Sequence, residues 1–194
     1  MGIKYLKFLI VIAVVVVAGL KIKDFVEQEI LEVKQAIYPL KYMDSVEKYA
    51  EEFGLDKYLL LAVIKTESGF DPNAKSNADA IGLTQITEEA FAWIKLKLCP
   101  KENLVFEDLY NPDTSIRFGA YYISSNLERY NGDVSTAAAA YHSGRGTVDK
   151  LLAEGQTDVL THFPYTQMEN YVYKINKAYN AYREIYNKNL EGDF

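Results

Sequence analysis

Cysteine occurs once in the 194 residues, at Cys99, and histidine twice, at His142 and His162. A single thiol excludes an intramolecular disulfide and a multi-cysteine metal cluster. Two histidines are too few for the common zinc sites, so no metal and no cofactor is expected. Positive charge is also short: 21 Lys and Arg stand against 27 Asp and Glu, a net charge of −6. A phosphate backbone wants a basic face, so nucleic acid is not an expected partner. Glycine and proline total 16 residues, 11 and 5, which fits neither general disorder nor a fibrous repeat. No apolar–polar alternation is long enough for a strand, and no internal repeat is visible. What is present is 49% hydrophobic residues, among them 16 tyrosines. That supports one globular domain with a real core and excludes two large ones.

The N-terminal end carries a membrane signal. Lys4 and Lys7 precede Phe8 to Leu20, thirteen residues without a charge, and Lys21 and Lys23 close the run. Thirteen helical residues cover about 20 Å, against roughly 30 Å of hydrocarbon, a length that suits a signal-peptide core. A span from Ile3 to Ile22 is open if the flanking lysines snorkel outward. The Val16-Val17-Ala18 stretch is a poor cleavage site, and Asp24 to Tyr38 continues with helical spacing at Phe25, Ile30, Leu31, Val33 and Ile37. Residues 1–38 therefore read as an uncleaved anchor and helical stalk, with a cleaved signal or a buried core helix as the alternatives. The terminal amine tips the charge balance toward an N-terminus inside.

Residues 39–190 read as one all-α domain. Pro39 breaks the stalk; Asp44 caps a short helix ended by Gly54, and Asp56 caps the next. Leu59, Leu60, Ala62, Val63 and Ile64 make that second helix apolar nearly all round, which places it in the core. It ends at Glu67, before a Gly-, Asn- and Ser-rich loop to Asp79. Thr87 caps a helix bearing Phe91 and Trp93, followed by an irregular stretch through Pro112. Further helices are expected from Asp113 to Tyr130, from a cap at Asp133 to a break at Gly144 and Gly146, onward through Leu152, and from Pro164 to about Tyr186.

Glu67 is the chemically pointed residue. A carboxyl held against apolar walls at the negative end of a helix dipole has its charged form disfavoured, so its pKa rises. Such a group keeps its proton near neutrality and can donate it to a leaving oxygen. On position alone an ordinary exposed glutamate at a helix end is the commoner reading.

The surroundings change that balance. Glu67-Ser68-Gly69-Phe70-Asp71-Pro72-Asn73-Ala74, then Ser76, then Ala80-Ile81-Gly82-Leu83-Thr84-Gln85-Ile86, resembles the catalytic domain of lytic transglycosylases in the goose-type lysozyme superfamily. Asn111-Pro112 with Ile116 and Gly119, Ala140 to Gly146, and Phe163-Pro164-Tyr165 with Tyr171-Val172 extend the likeness, in order, over about residues 45–185. The resemblance implies a lysozyme-like helical fold with a groove for peptidoglycan glycan strands. It makes Glu67 the single acid/base. Ser76 and Gln85 would line the site beside it, and Tyr141 and Tyr171 would bind the sugar or position the glutamate; His142, beside Tyr141, is open between substrate binding and a hydrogen-bonded structural role. The implied reaction cleaves between N-acetylmuramic acid and N-acetylglucosamine and closes a 1,6-anhydro ring without water.

Glycoside hydrolysis ordinarily needs two carboxylates, and Asp71 and Asp79 are the only local candidates. A hydrolytic muramidase on the same fold and a non-catalytic peptidoglycan-binding scaffold remain alternatives. Several residues depart from the family pattern: Asp79 for glycine, Thr84 and Thr87 for methionines, Glu88 for proline, His142 for asparagine, and Gln167-Met168 for a glutamate–threonine pair. Thr84 and Thr87 are expected to make one groove wall more polar. Arg145 is open between a contact to stem-peptide carboxylates and a solvated loop charge, and Trp93 between core and sugar platform. Because peptidoglycan lies outside the cytoplasmic membrane, the domain is expected there, tethered by residues 3–22, or secreted if the signal is cleaved. Cell-wall or secretion assembly partners are left open.

Overall fold

The computed structural model describes residues 2–187, with the side chains of 3–7 and 10–14 outside the description. The chain divides into two units, Met1–Pro39 and Leu40–Phe194. The first is a single helix, α1, Gly2–Ile37. At 1.5 Å per residue it is about 54 Å long. Among the described residues no helix is long and apolar enough to cross a membrane. The expected span through residues 3–22 falls partly on side chains outside the description. Of those described, Phe8, Leu9, Val15, Val16, Val17, Leu20 and Ile22 are exposed.

The second unit is built from α2 (Met43–Glu52), α3 (Lys57–Ser68), α4 (Glu88–Leu98), α5 (Pro112–Arg129), α6 (Val134–Ser143), α7 (Arg145–Gly155) and α8 (Thr166–Asn187). Among the described residues the only β-type pairings are the isolated bridges Lys75–Ile81 and Ile81–Ile86, inside the loop after α3. An all-helical class is thus observed. The expected domain end at residue 190 lies outside the described residues.

Helix α3 occupies the centre because its sequence offers no polar face. Tyr58 to Ile64 are all buried, and α3 packs against α8, α2 and α5. Asp56 caps it, its carboxylate accepting from the Tyr58 N–H at 2.8 Å. Gly69 stops it in the left-handed region at φ +60°, where a side chain would be strained. Helix α6 carries Ala137 to Ala140, all buried, and small side chains let it pack closely on α5, α7 and α8. Helix α8 completes the wall with Met168, Tyr171, Val172, Ile175, Ala178, Tyr182 and Ile185 at helical spacing.

Several boundaries differ from the sequence reading. Tyr42, left-handed at φ +56°, precedes α2, so Asp44 falls in its first turn and not at the cap. Asn111 caps α5 through Asp113 and Thr114 N–H groups, with Pro112 at the first helical position, so that helix starts one residue early. Gly144 alone breaks α6 from α7, and Gly146 lies within α7. Helix α8 begins at Thr166, beyond Pro164. Phe106–Tyr110, expected to be irregular, forms a 3-10 helix that buries Leu109.

Candidate active site

Glu67 stands in the last turn of α3 with part of its surface open to solvent. Its carboxyl accepts a 2.5 Å hydrogen bond from the Tyr171 phenol, which projects from α8. Burial raises the Glu67 pKa to about 7, against the opposing effect of that hydrogen bond. The C-terminal end of α3 acts in the same direction as burial. Glu67 makes no ion pair among the described residues, and Oε2 receives no protein donor there. The arrangement is therefore a carboxyl oriented through one oxygen and available through the other. Burial pushes the pKa of the Tyr141 phenol on α6 up, and the nearby Glu67 adds to that. The Tyr141 hydroxyl donates at 2.7 Å to the Thr84 carbonyl.

The loop from Ser68 to Thr87 is bound to this helix end. The Ser68 hydroxyl lies 2.9 Å from the Leu83 carbonyl and 3.1 Å from that of Ile64, and accepts from the Phe70 N–H. Gly82 sits at φ +77°, and a Cβ there would lie 2.1 Å from the Leu109 carbonyl oxygen, so only glycine fits. Gln85, itself left-handed at φ +49°, donates through Nε2 to the carbonyls of Gly82 and Ala74 at 2.9 and 3.0 Å. The Ser76 hydroxyl accepts from Ala78 and Ala80 N–H groups and closes the distal part of the loop.

A cleft of about 460 Å³ runs beside Tyr141, lined among others by Gln85, Thr87, Trp93, Tyr122, His142 and Arg145. A second hollow, of about 520 Å³, is lined by His142 with Pro164, Tyr165 and Gln167. His142 borders both. Its ring stacks on Tyr171 at 4.6 Å between centroids and 11° between planes. Burial and the nearby Lys174 ammonium lower its pKa, which keeps it neutral near pH 7. The structure thus brings Glu67, Tyr171, His142, Tyr141 and Gln85 to one region. Ser76 is not among the residues lining either hollow.

Some expectations change. Thr84 does not polarise the groove wall: it is fully buried, its hydroxyl donating to the Ser115 carbonyl at 2.8 Å and its methyl resting on Gly119. A Cβ on Gly119 would come within 2.4 Å of that methyl. Thr87 does line the cleft while capping α4. Neither local carboxylate is set against Glu67 by any hydrogen bond. Asp71 is exposed and accepts from Asn73, and Asp79 is exposed and paired with Lys75 at 2.8 Å. Asp79 adopts φ +57°, which explains why glycine suits that position. Ser68, as the tie between α3 and the loop, was not singled out; its place directly after Glu67 was the available signal. Trp93 is neither plain core nor open platform, since the Arg145 guanidinium covers its ring at 4.4 Å.

The family model of the transglycosylase SLT domain matches residues 44–161. A membrane-bound lytic murein transglycosylase C of Salmonella arizonae is 30% identical over 167 residues, which cover 74% of this chain and 46% of that protein. Its namesake in Histophilus somni is 30% identical over 182 residues, covering 81% and 50%. The chain thus spans about half the length of the curated relatives it matches. Among solved structures, the 70-kDa soluble lytic transglycosylase of Escherichia coli superposes with a TM-score of 0.73 at 22% identity, over 82% of this chain and 26% of that one. The lytic transglycosylase Slt of Pseudomonas aeruginosa, an inactive mutant, gives 0.68 at 24% identity, over 77% and 25%. These likenesses show the lysozyme-like SLT fold.

Proposed function

This chain belongs to the transglycosylase SLT domain family, and from that premise we propose that it is a peptidoglycan lytic transglycosylase with Glu67 as its single acid/base. The observation that carries the reading is the Glu67 carboxyl itself, oriented by the Tyr171 phenol and titrating at about 7. A group with that pKa is present in both protonation states near neutrality, as a residue that must first give and then take a proton requires. Protonated Glu67 donates to the oxygen linking N-acetylmuramic acid to N-acetylglucosamine as that bond breaks. The resulting carboxylate removes the proton from the muramic acid 6-hydroxyl, which bonds to the anomeric carbon. Glu67 ends protonated again, and no water enters.

An internal hydroxyl replaces the second carboxylate of a hydrolase because it is already held beside the reacting carbon. The exposed, otherwise engaged positions of Asp71 and Asp79 favour this route. In this reading Tyr141, His142 and Gln85 line the glycan path, and Ser76 supports the loop carrying Gln85. Residues 1–38 serve as anchor and stalk, with the N-terminus inside and the catalytic domain outside. The lysine-flanked apolar run and the membrane-bound relatives support that placement.

Mass spectrometry of the material released from purified peptidoglycan tests the reaction. Anhydro-muropeptides are expected. Products heavier by one water, about 18 Da, would replace the proposal with a hydrolase, and binding without release would replace it with a scaffold.

A further inference from the structure

Arg145 differs from Arg117 and Arg129 in having no salt bridge among the described residues, although Asp149 feels its charge. Arg117 is held by both oxygens of Glu102, at 2.8 and 3.0 Å, and Arg129 by both oxygens of Asp149, at 3.1 and 2.7 Å. Arg145 makes no ion pair among the described residues. Its Nε donates to the Asn126 carboxamide oxygen and Nη2 to the Ser125 hydroxyl, each at 2.7 Å and both neutral. Trp93 and Tyr122 flank the guanidinium at 4.4 and 5.5 Å from their ring centroids. Two nitrogens and the aromatic contacts thus hold the group still, while Nη1 has no protein acceptor among the described residues. It lines the 460 Å³ cleft beside Tyr141, where the other lining residues supply no lysine or arginine and one carboxylate, Glu89. A partly buried guanidinium hydrogen-bonded only to neutral groups, with one nitrogen left over, is positioned to take an anion, and its planar fork suits a carboxylate.

We propose that Arg145 makes this cleft a carboxylate-recognition site, selecting glycan strands whose muramic acid carries an anionic 3-O-lactyl arm over neutral β-1,4-linked amino-sugar polymers. The identification of the carboxylate rests on the peptidoglycan reading above. Two sources share this chemistry: the carboxylates of an attached stem peptide, and the lactyl carboxylate left when the stem is removed. The protein as a whole is acidic, with a net charge of −6. A fixed cation at the cleft is therefore what lets an anionic strand settle there in one register.

Trp93 is the only tryptophan in the chain and touches Arg145, so its fluorescence reports on this pocket directly. Binding is read by Trp93 quenching in the full-length Glu67→Gln variant, which removes turnover, and in the Glu67→Gln/Arg145→Gln double variant. The probes are soluble stem-bearing glycan strands, the same strands stripped of stems by an amidase, each of these with carboxyls converted to amides, and neutral chito-oligosaccharides. Carboxyl amidation is expected to weaken binding about tenfold when Arg145 is present and to have no effect once it is replaced. If only stem-bearing strands show that loss, the stem supplies the carboxylate; if stripped strands show it too, the lactyl group does.

Equal affinity for native, amidated and chito-oligosaccharide strands would overturn the proposal, as would absence of quenching by all of them. The comparison of native with amidated strands in the single variant needs no change at Arg145, so a folding defect in the double variant leaves the test standing. Failure of anhydro-product formation in the wild type, with carboxylate-dependent quenching intact, would remove the lytic reaction and leave the site.

Discussion

Glu67, the proposed acid/base, sits in an environment that works against its charge. The carboxyl moves from an ordinary value of 4.5 to about 7 on folding. The folded chain therefore holds this proton more tightly than the unfolded chain, and stability falls as pH rises through that window. The penalty is absent below about 4.5 and complete above about 7, where it is of the order of 3 kcal/mol. Glu67→Gln removes the titration. Its stability advantage over the wild type in urea unfolding is expected to be near zero at pH 4 and to reach that order at pH 8. A difference independent of pH would contradict the burial of this carboxyl. The Tyr171 hydrogen bond pulls the same pKa down, so Tyr171→Phe has two expected effects. The alkaline limb of the activity profile moves to higher pH, and the rate drops roughly 10- to 100-fold through lost positioning. An unshifted limb would separate Tyr171 from the acid.

Among the elements, the loop after α3 links the helix that carries Glu67 to the cleft, and its backbone is demanding. Gly82→Ala would drive a methyl group into the Leu109 carbonyl at a left-handed position. A loss of more than about 2 kcal/mol of stability is expected, visible as a lowered melting temperature together with reduced activity. Asp79, also left-handed but exposed, gives a graded contrast. Asp79→Gly is expected to be more stable than Asp79→Ala by about 1 kcal/mol, because alanine cannot relieve the strain. The caps at Asp56, Thr87 and Asp133 and the all-apolar face of α3 were legible in the sequence because they depend only on near neighbours. Phe106–Tyr110 was not, since burial of Leu109 stabilises it from outside its own segment. Thr84 was misplaced for the same reason: its contacts, Ser115 and Gly119, lie more than thirty residues away. Glu67 and Tyr171 were legible as separate motif residues, but the bond between them joins positions 104 apart.

At the scale of the whole molecule, the second unit carries its own core and the whole candidate site. Removing residues 1–39 is expected to leave the remaining domain's cooperative thermal transition in place, along with product release from soluble glycan. Membrane association, followed by cell fractionation, is expected to be lost. An unfolded remainder would show that the helical segment belongs to the fold. On the proposal that Arg145 recognises a carboxylate, substrate charge matters beyond the reacting bond. Salt is expected to weaken binding of anionic strands more than that of neutral ones, as titrations at low and high ionic strength would show.

The most direct test of the central claim compares the muropeptides released from one peptidoglycan preparation by the wild type and by folded Glu67→Gln. The wild type is expected to yield 1,6-anhydro products, and the variant none above background. Release by Glu67→Gln at the wild-type rate, or reducing-end products from the wild type, would contradict the assignment of a water-free reaction to this one carboxyl.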